Sequence, residues 1–203
     1  MPAIPSSMIS LIEVNLLNEF VKSSTAHFDD SHNWIHAENV YLSTIKIINS
    51  LDIDYDEDII TYAAKLHDVC DHKYQNSIPR TELEKFILKN LGSEKTNHVL
   101  KIIDNVSFSK EIKGLRETLI EPYNTYLTAI SDADRLEAIG KVGIERCETF
   151  TKSRNGKIPE DVIIHCHEKL LRLYEDNFIV TKLGREIAKP LHEEIVNYVK
   201  NIN

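Results

Sequence analysis

The sequence predicts an all-α protein, and three observations carry that expectation. Glycine and proline number six each among 203 residues, too few to punctuate the many short strands of a β fold. Apolar residues recur at spacings of three and four through most segments, the period of a helix with one buried face. Alternation at period two, the mark of a half-buried strand, is scarce. At this length one compact domain over 1–203 is expected, with a core from about residue 10 to about residue 200.

Taken in order, a first helix is expected over 7–24, with Ile9, Ile12, Leu16 and Phe20 on one face. A second over 33–50 carries Trp34, Ala37, Tyr41, Ile45 and Ile48 at helical spacing. The acidic stretch Asp52 to Asp58 supplies caps and N-terminal charge for a third over 57–70, in which Ile60, Ala63, Ala64 and His67 share the core-facing stripe. Beyond a loop at 71–79, short helices are expected over 81–91, ended by Gly92, and over 94–106, capped by Ser93. The segment 107–122 reads as irregular. One long helix over 124–150 then has a buried seam of Tyr126, Ile130, Ala133, Leu136, Gly140, Ile144 and Cys147. Residues 152–159 read as an exposed loop, and helices over 160–177 and 185–201, the latter started or kinked by Pro190, close the chain.

Hydrophobic residues at 42% and charged ones at 28% are ordinary globular usage and argue against disorder, collagen-like repeats and coiled coil. The formal charge of −8 argues against nucleic-acid polymers or an anionic membrane as partners, while leaving room for a small anion held by a local cation. Cys70, Cys147 and Cys166 form an odd, sparse set without a CxxC pair, so neither a disulfide framework nor a thiolate zinc site is expected. No apolar run reaches membrane-spanning length and the first ten residues do not read as a secretion signal, so a cytoplasmic location is expected.

The chemistry lies in three clusters: DDSHNWIHAENV from 29, KLHDVCDHKY from 65 and SDADRLEAIG from 131. His36, His67, Asp68 and Asp134 each fall in a segment with a strong apolar stripe, which places polar groups near the interior where they need compensation. A divalent cation compensates imidazole and carboxylate together, and two of each leave coordination positions open for chemistry.

The order His36, then His67–Asp68, then Asp134 resembles the H…HD…D signature of the HD-domain metal-dependent phosphohydrolase superfamily. Four ordered stretches are similar to a subgroup of small bacterial HD nucleotide pyrophosphohydrolases: DxSHxxxHxxxV ending at Val40, LHDVxDxK from Leu66 to Lys73, DADRLEAIGxxGIxR from Asp132 to Arg146, and HxxEKLLxL from His165 to Leu173. The sequence departs from that pattern at Asn39, Glu137 and the pair Cys166–His167. The resemblance implies an all-α HD-domain helical bundle with a central metal site. His36, His67, Asp68 and Asp134 are the implied ligands, with Asp132 as a fallback ligand or a partner to one. Manganese is the favoured ion, with magnesium, iron, cobalt, nickel and zinc as alternatives.

His32, one turn before His36 if the helix already includes it, is expected as a phosphate contact or proton donor. Asp71 is expected to orient a ligand histidine and Lys73 to meet a phosphate. His165, Lys169 and Arg172, at spacings of four and three, form a polar stripe suited to an anionic substrate, and Arg135 is a further candidate. His27, His72, His98, His167 and His192 are assigned surface or packing roles. The run from Asp52 to Asp58 lacks the central Gly and terminal Glu of an EF-hand and reads as a solvated helix start.

The implied reaction is hydrolysis of a (deoxy)nucleoside triphosphate between the α and β phosphates, giving monophosphate and pyrophosphate. Alternatives are another small phosphoester (a nucleoside monophosphate, a cyclic nucleotide or a guanosine alarmone) and a catalytically silent nucleotide-binding module. The expected partner is thus a small-molecule nucleotide, with a homodimer as a further possibility.

Overall fold

A computed structural model of the chain describes residues 11–29, 32–71, 74 and 76–202. Among these the regular structure is entirely helical, with α1 (Leu11–Ser24), α2 (Trp34–Asn49), α3 (Glu57–Leu66), α4 (Arg80–Ile103), α5 (Phe108–Ile112), α6 (Tyr123–Glu137), α7 (Gly140–Ser153), α8 (Glu160–His165), a π-helical turn (Cys166–Leu170), α9 (Leu171–Glu175) and α10 (Lys182–Ile202). No helix among the described residues is long and apolar enough to cross a membrane. The chain divides into two compact units, the first ending at Ile130 and the second covering Ser131–Asn203, so the division falls inside α6.

The first unit is built around α3, in which every residue from Asp58 to Leu66 is buried. The Asp56 side chain caps its N-terminus by accepting from the Ile59 N–H at 3.2 Å. Around it pack α1, α2 and α4, contributing Leu17 and Val21, then Val40, Ile47 and Ile48, then Leu83, Ile87, Val99 and Ile102. Each such aliphatic side chain contributes about 1.5–3 kcal/mol through burial. Two polar ties sit among them. Lys65 of α3 pairs with Glu38 of α2 while its ammonium lies 5.0 Å from the Trp34 ring centroid and 4.5 Å from that of Tyr41. The Asp56 N–H donates to the Tyr126 hydroxyl at 3.0 Å, joining the start of α6 to the cap of α3.

Several sequence expectations are corrected. Of the first helix, residues 7–10 and the Ile12 side chain lie outside what is described; among its described side chains Leu17, Val21 and Ser24 are buried, with Leu16 53% exposed. Phe20, expected on the inner face, stacks on Phe86 at 3.8 Å, whereas Leu16 points outward. In α2 the inner row is His36, Ala37, Val40, Thr44, Ile47 and Ile48, so Trp34, Tyr41 and Ile45 flank the core rather than fill it. The third helix stops at Leu66, leaving His67 at its C-cap. The break expected at Gly92 is present: α4 is two helical segments joined across a kink there, with Gly92 at φ 75° and ψ 173°, and only the end of the second differs, at Ile103 rather than residue 106. Within 107–122 a short helix, α5, forms.

The long helix expected over 124–150 is two helices. Gly140 takes φ +76°, a conformation that ends α6 and admits the tight restart of α7. A Cβ on Gly143 would lie 2.1 Å from the Ala138 carbonyl oxygen, so only glycine allows the two segments to approach. In the second unit α7 and the π turn pack on α10, and Val162, Cys166, Leu170, Leu173, Ala188 and Ile195 are buried. In the π turn the Leu171 N–H bonds the Cys166 carbonyl, five residues back, and adjacent Leu170 and Leu171 are both buried. Pro190 lies within α10, on an exposed position.

Gly143→Ala should therefore lower the free energy of unfolding by about 2 kcal/mol or more, since the clash is with backbone. Urea denaturation followed by far-UV circular dichroism checks this, and an unchanged midpoint would show that the α6–α7 joint has slack.

Candidate metal centre

The centre grows from two helix ends. At the start of α2 the Asn33 side chain accepts from the N–H groups of Ile35 at 2.9 Å and His36 at 3.3 Å, so the cap holds the backbone of His36 itself. At the end of α3 the carbonyls of the last turn need partners from outside the helix. One of them, Ala64, accepts from Nδ1 of His67 at 2.7 Å. That bond places the proton on Nδ1 and leaves the Nε2 lone pair of His67 pointing away from the backbone.

What Nε2 faces is Asp68. The Oδ2 atom of Asp68 lies 3.3 Å from His67 Nε2 and 3.5 Å from His36 Nε2, and the two imidazole rings meet edge to face at 5.3 Å. His36 and His67 are almost wholly buried, while the Asp68 side chain keeps 24% of its exposure. Burial pushes the Asp68 carboxyl up, but His67 and His36 beside it, in their protonated forms, outweigh that and hold it well below the usual carboxylate range. Donor atoms about 2.1 Å from one ion and 90–110° apart at it are ~3.0–3.4 Å from each other. The observed spacings, with one ligand atom from each of these three residues within 4.8 Å of the others, fit such a set. Two imidazole nitrogens with one carboxylate oxygen suit manganese, iron, cobalt, nickel or zinc.

Asp134 stands on α6, two turns after Tyr126 and one after Ile130, and is half-buried. Asp132, the fallback ligand, has a different role. Its carboxylate accepts from the N–H of Val180 at 3.1 Å, the N–H of Thr181 at 2.7 Å and the Thr181 hydroxyl at 2.7 Å. It is fully buried, and burial raises its pKa despite these bonds and nearby Arg135. Gly184 makes room for it, since a Cβ there would lie 2.9 Å from Asp132 Oδ2.

His32 is not in the helix but in the turn ahead of the Asn33 cap, which corrects the one-turn spacing to His36 assumed from sequence. The turn still brings it close: its Nε2 is 3.9 Å from Asp68 Oδ2 and 3.7 Å from Asp71 Oδ2, and its ring is 6.0 Å from that of His36. Asp71 thus faces His32, where a ligand histidine was expected. Tyr74, which sequence reasoning missed, hydrogen-bonds His32 Nδ1 through its hydroxyl at 3.0 Å and stacks on Phe28 at 4.1 Å. Its only sequence signal is a tyrosine three positions beyond Asp71. Lys73 and His72 lie outside the described residues.

The expected substrate stripe is altered. Arg135 is 3% exposed, donates from Nη1 to the Phe178 carbonyl and lies over the Phe178 ring; these contacts tie it into the second unit rather than presenting it to a substrate. Arg172 donates from Nε to Asp176 at 2.7 Å and flanks the same ring at 5.8 Å. The π turn separates His165 from Arg172, so the α-helical spacing assumed for the stripe does not hold. His165 is half-buried, and burial with the Lys169 cation lowers its pKa, so it acts as a neutral hydrogen-bonding group near pH 7. The packing histidines behave as expected, His98 stacking on Tyr123 at 3.6 Å and His192 on Tyr174 at 4.9 Å. Burial pushes the Cys70 and Cys166 thiols up to about 11, which leaves neither as a thiolate nucleophile at neutral pH.

No family model matches the chain. It is 27% identical to the Bacillus subtilis protein YpgQ over 201 residues, covering 96% of this chain and 94% of that one. YpgQ has been solved in complex with ADP, and that structure superposes with a TM-score of 0.74 at 25% identity, over 95% of this chain and 94% of the other. An HD-superfamily hydrolase from Bacillus thuringiensis superposes with a TM-score of 0.69 at 22% identity, over 94% and 95%.

Two expectations follow from this chemistry. Asp132→Ala leaves the N–H groups of Val180 and Thr181 and the Thr181 hydroxyl without their buried acceptor and should destabilise the protein by about 2 kcal/mol; an unchanged urea midpoint would show that these bonds add nothing. The unfolded chain protonates His165 near 6.5 while the folded chain resists. The stability tied to this residue is therefore complete above that pH and falls as pH drops. From pH 7.5 to 5.5 the unfolding midpoint of His165→Gln should decline less than that of the wild type, and equal declines would contradict the assignment.

Proposed function

We propose that this chain, whose fold is that of the HD-superfamily hydrolases, is a metal-dependent phosphohydrolase acting on a small nucleotide. The observation that carries the reading is the convergence of His36 Nε2, His67 Nε2 and Asp68 Oδ2 with the His67 tautomer set by Ala64. Asp134, in the order of the sequence motif, supplies the fourth ligand. A bound divalent cation supplies Lewis-acid stabilisation at phosphorus and a more acidic water. His32 presents an imidazole edge to a phosphoryl oxygen, and Asp71 beside it keeps that edge oriented. Lys73 and Lys169 balance charge that develops on the leaving group, and neutral His165 offers a hydrogen bond.

The favoured substrate is a (deoxy)nucleoside triphosphate cut between the α and β phosphates. The ADP complex of YpgQ favours a nucleotide over other phosphoesters. The test is a hydrolysis panel of nucleoside tri-, di- and monophosphates under manganese, magnesium, cobalt and iron, with products separated. Monophosphate and pyrophosphate should appear from a triphosphate, and His67→Ala and Asp68→Ala should each lose ~10³-fold or more with helicity retained. Orthophosphate as the first product would move the reading to another phosphoester. Full activity in either variant would sink it.

A further inference from the structure

We propose that Tyr74 is a positioning residue for His32, holding that imidazole in the tautomer whose Nε2 carries the proton. The inference deepens the hydrolase reading and rests on it for its role in turnover, but its geometry stands apart from it. The Tyr74 hydroxyl lies 3.0 Å from His32 Nδ1, and a hydrogen bond donated from Oη to Nδ1 requires the ring proton to sit on Nε2. The surrounding charges agree. Nε2 faces two carboxylates, Asp71 Oδ2 at 3.7 Å and Asp68 Oδ2 at 3.9 Å, with side-chain exposures of 8% and 24%. Nδ1 lies 3.5 Å from Asp29 Oδ1, on a side chain 58% exposed whose field is screened by water. The Tyr74 bond is what assigns the ring proton to Nε2.

The phenol is itself held. Phe28, 8% exposed, stacks on Tyr74 with the planes 12° apart, and the His32 and Tyr74 rings meet edge to face at 5.5 Å. The chain from buried Phe28 through Tyr74 to His32 thus fixes both the direction of the imidazole and which of its edges is an N–H donor. A donor at Nε2 suits an anionic phosphoryl oxygen, whereas a bare lone pair there would repel one.

Tyr74→Phe removes the hydroxyl and keeps the stacked ring, so it should fold as the wild type does, which melting temperature checks. Long-range 1H–15N correlation of the histidine side chains at pH 8.5, with His32→Gln identifying the signal, should show His32 protonated at Nε2 in the wild type and a mixture of tautomers in Tyr74→Phe. In turnover, Tyr74→Phe should lower kcat/KM by ~10-fold in the wild-type background and less than about twofold on top of His32→Gln. A wild-type His32 protonated at Nδ1, or a tautomer unmoved in Tyr74→Phe, would overturn the proposal. Absence of hydrolysis in the wild type would strike the functional reading and leave the tautomer result to stand or fall alone.

Discussion

The bond from His67 Nδ1 to the Ala64 carbonyl organises the candidate centre. It exists because α3 ends at Leu66, so that a last-turn carbonyl needs a partner and the side chain immediately after the helix supplies one. The same bond decides which ring nitrogen is an acceptor and directs it at Asp68. A helix boundary, a tautomer and a ligand atom are thus one physical event, and a helix continuing to residue 70 would have lost all three.

Such a site also needs its two helices in register. Lys65, buried two residues before His67, reaches Glu38, two residues after His36, between the rings of Trp34 and Tyr41. A buried ammonium is costly without a partner. Here the carboxylate and two aromatic faces compensate it, and they couple the helix that bears one histidine to the helix that bears the other. Nearby, Lys95 pairs with Asp56 at 3.0 Å and also with buried Asp58 at the opposite end of α3. Part of the negative charge that marks the composition is thus paired inside the first unit.

Much of this was legible in the sequence. The all-α class followed from periodicity, and the dyad at 67–68 with His36 stood out because imidazoles on an apolar stripe need compensation. What escaped was local backbone chemistry. A helical period cannot reveal that Gly140 adopts a positive φ or that Gly143 touches a carbonyl, so two helices read as one. Nor does it reveal the π turn at Cys166–Leu170. Asp132 and Arg135 looked available because their partners, Val180, Thr181 and Phe178, lie more than forty residues away in sequence. Tyr74 escaped because a hydroxyl's worth depends on what it faces.

The central claim is that His36 and His67 present nitrogens to one divalent ion. Electron spin echo modulation of the Mn2+-loaded protein tests it most directly. Couplings from two histidine nitrogens on a single bound ion are predicted, with one of them removed in His67→Gln. Stoichiometric manganese with no nitrogen coupling, or the same couplings in that variant, would contradict the account.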